Sequence, residues 1–426
     1  YLSDIGEYQE NAYNYIINKL KRGDYGVGDR KMPSFENMEA FGYTILQRPL
    51  EALNIIYPDK RLLDEEPSFD SKELVGKSGL NRIMKYEEST SPMFKGNFEY
   101  KTDDYGAIFS PSEIGKYSGK IKTICDTIIN STGVVLIYSQ WIDAGLVPMA
   151  LALEELGFSR TGKGQNLFKR KPAPLIDALT YEPANVKTED FKPASYIMIT
   201  GDNALSPNNV EDLKLATNEL NKDGSQVKVI LISQAGSEGL DFKFIRQTHI
   251  IEPWYNTNRL EQIIGRAVRT CSHKMLPFNE RNVEIYFHGT IITNSTREEA
   301  ADLYVYRLAE LKALQIGNVS RVLKETAIDC LLNIDQTTFA VELMNTVVKQ
   351  NLSSGIVLDY QVGDKPYSST CDYMDKCAYT CKPETMISED DITYDTYGEQ
   401  FIMMNNDKII YRIKQLFKER FYYRKA

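Results

Sequence analysis

The central part of this sequence predicts an α/β fold built around a parallel β-sheet. Four short runs rich in apolar and β-branched residues are typical of buried strands: "GVVLIYS", "SYIMITGD", "VKVILIS" and "QTHIIEP". Helical stretches separate the first three of these runs. Strands that are buried on both faces and alternate with helices form a parallel sheet, because the connecting helices cover its two faces.

The helices around this sheet are predicted from periodicity. The stretch "IKTICDTIINS" has helical spacing, and "GLVPMALALEELGF" is typical of a helix that ends at Gly157. Farther along, a helical extension is predicted by the spacing of Tyr304, Leu308, Leu311 and Leu314. We expect an N-terminal segment at 1–118, a sheet-bearing lobe at 119–296, the helical extension at 297–370, and a cysteine-containing segment with a basic C-terminal helix at 371–426.

Composition narrows the possible classes of protein. A chain of 426 residues with 42% hydrophobic and 26% charged residues is long enough for two or three domains. The formal net charge of −9 argues against nonspecific coating of nucleic acid, although a local basic groove stays possible. We expect no membrane partner and an intracellular location, since no run of about 18 apolar residues and no signal-peptide pattern is found. Six cysteines in so long a chain favour reduced thiols over a disulfide scaffold.

Small polar residues follow three of the predicted strands. Ser139, Thr200 and Ser233 each come directly after a buried run, and the third run continues to Gly239 and Asp241. Turn chemistry alone explains a single case. Because parallel strands present their carboxyl ends at one edge of a sheet, we expect the three hydroxyls to line one groove and to contact phosphates.

The stretch "EQIIGRAVRTCSH" places Arg266 and Arg269 three residues apart. On a helix, this spacing predicts that both guanidinium groups lie on one face. Each group is a planar, permanently charged fork that suits phosphate oxygens, so the pair predicts a polyphosphate site. The alternative is a solvated basic helix.

These segments resemble the motifs of superfamily 2 helicases. The segment "SQAGSEGLD" resembles motif V, "QIIGRAVR" resembles motif VI, and "VLIYSQ" resembles motif IV. The string from about Tyr117 to Cys330 is similar to ATPases of large cytoplasmic DNA viruses. These include giant-virus helicases, the small subunit of the poxvirus early transcription factor and the related viral nucleoside triphosphate phosphohydrolases.

The resemblance implies a RecA-like fold, specifically the second lobe of a two-lobed ATPase, with 1–118 as the inter-lobe segment. Arg266 and Arg269 would be catalytic arginine fingers on the γ-phosphate of ATP. The nucleotide would also be contacted by Gly239, Asp241, Gln262 and Gly265. By the same resemblance, the nucleic-acid backbone would be contacted by Ser139, Thr200 and Ser233.

A phosphate-binding loop and a magnesium-binding acidic box are expected in such a motor but are not found in this sequence. The triplet Gly76-Lys77-Ser78 has Ser71 where the first loop glycine should stand, and "DEEP" at Asp64 is typical of an acidic turn. We expect the first RecA-like lobe, which would bind most of ATP and Mg²⁺, to be a partner missing from this chain. The chain alone should then be inactive.

The resemblance leaves the biological role open. The first interpretation is that the chain is the C-terminal half of an ATP-dependent helicase or translocase that acts on DNA or RNA. A second is an ATPase subunit of a viral early transcription initiation or termination factor, with viral RNA polymerase or other factor subunits as partners. A third is a noncatalytic assembly module, which has no need of two arginine fingers. The expected location is the host cytoplasm, in a viral factory, or the virion.

The C-terminal segment carries two further features. Cys371, Cys377 and Cys381 would need a fourth ligand to hold zinc, with His273, His288 and Cys330 as candidates. Their spacing fits no common zinc finger, so we predict no metal and reduced packing cysteines. The tail places an apolar face opposite several basic residues, which suits nucleic acid, a membrane or, more commonly, docking on the protein itself. That face consists of Ile409, Ile413, Leu416 and Phe417.

Overall fold

A computed structural model confirms the predicted α/β class with a six-stranded, all-parallel sheet at its centre. The structure describes residues 1–22, 43–64, 67–88, 96–161, 166–184, 190–203, 205–234, 240–293, 299–331, 334, 346–382, 384 and 399–419. In this part of the chain, no helix is both long and apolar enough to span a bilayer.

The strands of the described residues form the central sheet and three two-stranded pairs. In chain order they are β1 (Leu2–Asp4), β2 (Met84–Glu88), β3 (Gly96–Tyr100), β4 (Val134–Tyr138), β5 (Ser159–Arg160), β6 (Ser195–Ile199), β7 (Val229–Ile232), β8 (Ile245–Ile250), β9 (Glu284–Phe287), β10 (Gly289–Ile291), β11 (Val347–Asn351) and β12 (Val357–Gln361). The central sheet has the order β5-β6-β7-β4-β8-β9. It therefore contains all four predicted strands and two more at its edges.

The α-helices lie on both faces of this sheet and in the flanking segments. They are α1 (Glu7–Lys21), α2 (Gln47–Asn54), α3 (Gly76–Ile83), α4 (Thr102–Tyr105), α5 (Ile114–Tyr117), α6 (Gly119–Ile128), α7 (Val147–Glu155), α8 (Asn209–Ala216), α9 (Thr257–Ala267), α10 (Ala301–Thr326) and α11 (Glu399–Glu419). Both helices predicted around the first strand are present as α6 and α7. Gly157 follows α7 with φ +96°, and a Cβ there would lie 2.3 Å from the Pro174 carbonyl oxygen, so glycine is required where this helix ends.

The sheet strands β4, β6 and β7 were predictable because they are buried on both faces. Every residue of these strands is buried, and apolar clusters pack on each side of the sheet. The edge strand β9 alternates between half-buried and exposed residues, which produces no continuous apolar run. The strand β5 has only two residues, too few for any periodicity to be read.

The N-terminal segment and the helical extension share one core beside the sheet. Ile16 of α1, Leu50 of α2 and Val305 of α10 belong to the same buried cluster. The strand β1 also pairs in parallel with β10, at the end of the sheet-bearing lobe. Segments that are separate along the chain are therefore packed together around common side chains.

The extension is not helical throughout. After α10, the strands β11 and β12 form an antiparallel hairpin that the sequence analysis did not predict. The predicted C-terminal helix corresponds to α11, although residues 420–426 lie outside the described part. Ile409 and Ile413 of its apolar face are exposed, so these two side chains are not docked on the described residues.

Four cysteines form disulfides, so the prediction of reduced thiols was wrong for them. Cys330 is bonded to Cys381 and Cys371 to Cys377, with Cα atoms 5.8 and 4.4 Å apart, both within disulfide range. The described residues contain two free cysteines, Cys125 and Cys271, the first buried and the second exposed.

The pairing is explained by a fold-back of the segment 371–382 onto the end of α10. Arg321 of α10 donates from its guanidinium to the carbonyl oxygens of Cys371, Lys376 and Ala378, at 3.0, 3.0 and 3.3 Å. It also forms an ion pair with Asp372. The described residues hold no cluster of His, Cys, Asp or Glu arranged for a metal ion, and the absence of a metal remains a prediction.

Candidate nucleotide and nucleic-acid site

The two arginines of the predicted polyphosphate site converge on one segment, but not by the geometry that we expected. Arg266 lies in the last turn of α9, whereas Arg269 lies beyond the helix, which ends at Ala267. Val268 has φ −105° and ψ 83°, values that are not helical, so the two guanidinium groups do not share a helix face. The three-residue spacing of the two arginines did not indicate that the helix ends between them.

The convergence is produced by contacts with residues 240–242. Arg266 Nη1 donates to the carbonyl oxygen of Leu240 at 3.3 Å, and Arg269 Nη1 forms an ion pair with Asp241 Oδ1 at 2.8 Å. The backbone N–H of Phe242 donates to the Arg266 carbonyl oxygen at 3.3 Å. This last contact satisfies one of the carbonyls that a helix leaves free at its C-terminus. The segments that resemble motifs V and VI are thus joined directly.

The helix α9 positions this site by its amphipathic pattern. Leu260, Ile263 and Ala267 are buried against the sheet. Gln262 therefore lies on the exposed side, with Gly265 and Arg266 partly exposed. A Cβ added at Gly265 would meet no atom within 4 Å, so packing within the described chain does not require glycine there. Gly239 lies outside the described residues.

The pair between Arg269 and Asp241 is open to solvent. The two side chains are 41% and 62% exposed. Among the described residues, the Arg269 side chain has one other hydrogen bond, from Nε to the Gly265 carbonyl oxygen at 3.2 Å. An exposed pair of this kind contributes about 0–1 kcal/mol to stability. Arg269 is therefore positioned by weak, solvent-accessible contacts that a ligand could replace.

The three hydroxyl residues lie along one edge of the sheet but are turned inward. Thr200, Ser233 and Ser139 follow β6, β7 and β4, which are neighbours in that order. All three side chains are buried. Thr200 Oγ1 lies 2.7 Å from Ser206 Oγ, and the Ser139 hydroxyl lies 3.0 Å from both carboxylate oxygens of Glu252. For Ser139 and Thr200, a direct hydroxyl contact to phosphate would require these bonds to break.

Comparisons with known proteins match this architecture. Residues 188–271, which contain β6 to α9, match the family model described as the helicase conserved C-terminal domain. A protein of Acanthamoeba polyphaga mimivirus, provisionally named an ATP-dependent RNA helicase, is 24% identical over 77% of this chain and 31% of its own length. A termination factor NPH-I homolog of African swine fever virus (isolate Tick/Malawi/Lil 20-1/1983) is 29% identical over 51% of this chain and 33% of its own.

The chain is therefore similar to helicases and related ATPases of large DNA viruses, and residues 188–271 carry the helicase C-terminal match. It spans about a third of the length of these two curated relatives. Among solved structures, the C-terminal part of the Fun30 ATPase domain is similar at 12% identity and a TM-score of 0.39, covering 72% of this chain and 86% of that one. That likeness is too weak to support a statement about function.

In this structure, the triplet Gly76-Lys77-Ser78 is not placed as a phosphate-binding loop would be. It begins the eight-residue helix α3, which follows the 3₁₀ turn Ser71–Leu74 rather than a strand. A Cβ at Gly79 would lie 2.5 Å from the Tyr57 ring, so this helix packs tightly against the preceding segment. The packing is made by Gly79, whereas Lys77 and Ser78 of the triplet are exposed.

A buried polar network at the carboxyl ends of β4 and β8 was not predicted from the sequence. Glu252, which follows β8, accepts hydrogen bonds from Asn54 Nδ2 at 2.8 Å, from the Ser139 hydroxyl and from the backbone N–H of Gln140. Burial raises the pKa of Glu252 to about 7. Asn54 Oδ1 also accepts from Lys120, which forms a buried ion pair with Asp302 at 2.8 Å. The network thus joins the N-terminal segment, the sheet edge and the helical extension.

The disulfide-bonded segment touches the helix that carries Arg266. Tyr373 lies two residues after Cys371, and its hydroxyl lies 3.1 Å from Thr257 Oγ1 and donates to Glu261, both on α9. Gly317 makes the approach possible, because a Cβ there would lie 1.9 Å from the Asp372 carbonyl oxygen. The C-terminal segment therefore supports α9, a contact across more than 100 positions that no local pattern signals.

Proposed function

We propose that this chain forms the C-terminal RecA-like lobe of an ATP-dependent nucleic-acid helicase or translocase. Its partners would be a first RecA-like lobe, ATP with Mg²⁺, and DNA or RNA. The observation that carries the proposal is the convergence of Arg266 and Arg269 on residues 240–242 at an exposed surface. We expect the protein in the host cytoplasm, in a viral factory, or in the virion.

The arginines suit the γ-phosphate of ATP, which supplies the transferring phosphoryl group when ATP is bound with Mg²⁺, mainly by the first lobe. A guanidinium fork stabilises the charge that spreads over the oxygens of that group. Arg269 is free to exchange its exposed carboxylate partner for phosphate oxygens, since Asp241 holds it by a single solvent-accessible contact. The open space beside Gly265 leaves room for a nucleotide to approach α9. Gln262 and Asp241 lie on the same exposed surface.

Nucleic acid would cross the carboxyl edge of the sheet. Thr200, Ser233 and Ser139 mark this edge on three neighbouring strands. Because the hydroxyls of Thr200 and Ser139 hold neighbouring loops, we expect them to shape the loops that meet the backbone. Contacts to phosphate position a strand without reading its sequence, so binding should be salt-sensitive and tolerant of sequence.

A second candidate is the ATPase of a viral transcription termination or initiation factor. It is favoured by the African swine fever virus relative, which is named a termination factor homolog. In that role, hydrolysis would remodel a complex with viral RNA polymerase without processive unwinding.

The test is nucleic-acid-stimulated ATP hydrolysis, together with strand displacement, in a two-lobed protein that contains this chain. We expect Arg266→Ala to abolish stimulated hydrolysis. A matched control is Arg281→Ala, since Arg281 is exposed and also donates to two backbone carbonyl oxygens, those of Leu276 and Lys274. Unchanged hydrolysis in the Arg266 variant would overturn the finger role. Hydrolysis without strand displacement would favour the transcription factor.

A further inference from the structure

A cavity lies at the edge of the sheet opposite the segments that resemble helicase motifs. Its volume is about 720 Å³, and it is bordered by the residues that precede or begin β4, β7 and β8 and by the hairpin β11–β12. These are the amino ends of the strands, whereas the motif residues follow the carboxyl ends. The cavity is therefore separate from the proposed nucleotide surface.

Lys228 is a buried cation in the wall of this cavity. It precedes β7, and only 1% of its surface is exposed. Its Nζ donates to the Ser131 carbonyl oxygen at 3.1 Å and lies 5.3 Å from the centre of the Tyr181 ring. Burial lowers the pKa of Lys228 to about 7, with Arg246 adding a repulsive charge and Asp223 partly opposing both.

Arg246 of β8 is the second buried cation in the wall. It is 3% exposed, and its Nη2 donates to Asn282 Oδ1 at 3.3 Å and to the Asn351 carbonyl oxygen. Its Nη1 lies 3.6 Å from Glu280 Oε2. Its Nε is buried and has no hydrogen-bond partner among the described residues. A buried donor left unpaired costs about 1–3 kcal/mol, so a partner at this atom would stabilise the fold.

Two glycines make room for these cations. Gly133 has φ +77°, and a Cβ there would lie 2.4 Å from Cγ of Arg246. Gly224 has φ +81°, and a Cβ there would lie 3.2 Å from Cδ of Lys228. The aliphatic parts of Arg246 and Lys228 therefore occupy space that a Cβ at Gly133 or Gly224 would fill.

Two like charges at the wall of one cavity repel each other, and the carboxylates of Glu280 and Asp223 offset this repulsion only in part. The other charged side chains of the wall are Lys222, Asp223 and Glu280, which leave the wall with more basic than acidic groups. A purely structural role accounts for the bonds of Arg246 to the hairpin. It does not account for the unpaired Nε or for burying Lys228 beside a second cation.

We propose that this cavity binds a compact oxyanion, a phosphate or sulfate group on a small molecule, held by Lys228 and Arg246. Guanidinium and ammonium groups in a buried wall recognise such anions strongly, because the low local dielectric increases the attraction. This proposal does not depend on ATP hydrolysis by the protein.

Binding should take up a proton near neutral pH. An anion beside Lys228 favours its protonated form, so affinity should fall as Lys228 loses its proton. The other titratable or charged groups that face the two cations are Asp223, Glu280, Glu284, Lys222, His273 and Tyr181. Burial lowers the pKa of His273, which favours its neutral form.

The experiment is calorimetric titration of the 426-residue chain with sulfate, which itself does not titrate between about pH 6 and about pH 9. We expect affinity to fall at least ~10-fold across that range, with proton uptake seen as a dependence of the heat on buffer. Lys228→Met should remove both the binding and its pH dependence. It should fold, because it replaces a buried charge with an apolar side chain. The matched control, Lys214→Met, changes an exposed lysine on α8.

Separate titrations with inorganic diphosphate, adenosine monophosphate and a short single-stranded DNA identify the source of the oxyanion. Tighter binding of diphosphate or the mononucleotide than of sulfate, lost in Lys228→Met, would support the proposal. Three results would overturn it: no detectable sulfate binding, equal binding in Lys228→Met, or an affinity that does not change with pH. Displacement of sulfate by DNA at lower concentration than by either small molecule would also overturn it, in favour of a nucleic-acid surface.

Discussion

Replacing Arg269 by alanine should separate stability from catalysis. Within the part of the chain that the structure describes, the side chain makes one ion pair, with Asp241, and one hydrogen bond to a backbone carbonyl oxygen, and it is 41% exposed. Solvent screening limits an exposed pair to at most ~1 kcal/mol, so the free energy of unfolding should fall by no more than about that amount. Loss of an arginine finger, by contrast, lowers kcat by about 10³-fold or more, which corresponds to at least ~4 kcal/mol in the transition state.

The assay pairs urea unfolding of this chain with steady-state hydrolysis in the two-lobed protein. We expect nucleotide affinity to change little, because a finger acts on charge that develops in the transition state. Arg281→Ala, as before, removes an exposed arginine with backbone bonds and should leave kcat intact. The reasoning fails if Arg269→Ala retains kcat within about threefold, or if Arg281→Ala lowers it equally.

Three other outcomes are expected. The chain alone should show no nucleic-acid-stimulated ATPase activity, and turnover that a magnesium chelator abolishes would contradict this. Since burial raises the pKa of Glu252 from 4.5 to about 7, the unfolded chain loses this proton first, and the free energy of unfolding should fall by up to about 3 kcal/mol as pH rises between those values. Glu252→Gln should flatten that slope in urea titrations, and an unchanged slope would show that another group causes it. Without reductant, alkylation should label Cys271 in the folded chain and Cys125 only after unfolding, whereas labelling of Cys371 or Cys381 would exclude the disulfides.

Much of the central lobe was determined by short stretches of sequence. The strands β4, β6 and β7 are apolar runs because both of their faces are buried. The helix α6 shows helical spacing because it packs one face inward, whereas α7 is buried on all sides and is apolar along almost its whole length. The sequence predicted only the end of strand β8, because its first part lacks an apolar run. Four polar or charged residues are buried there: Arg246, Gln247, Thr248 and His249. Its polar residues are tolerated where tertiary partners such as Asn282 and His288 meet them.

The site itself needed the tertiary structure. The sequence by itself identified Arg266, Arg269 and Asp241 as a group, but the meeting of these residues depends on a helix end at Ala267 and on Phe242, which lies on another segment. Glu252 with Asn54, and Tyr373 with Glu261, are partners 198 and 112 positions apart. Periodicity reports which face of one element is buried, because it depends on neighbours within a few turns. Which distant side chain meets that element is decided only when the whole chain packs, since the contact depends on the paths of every segment between them.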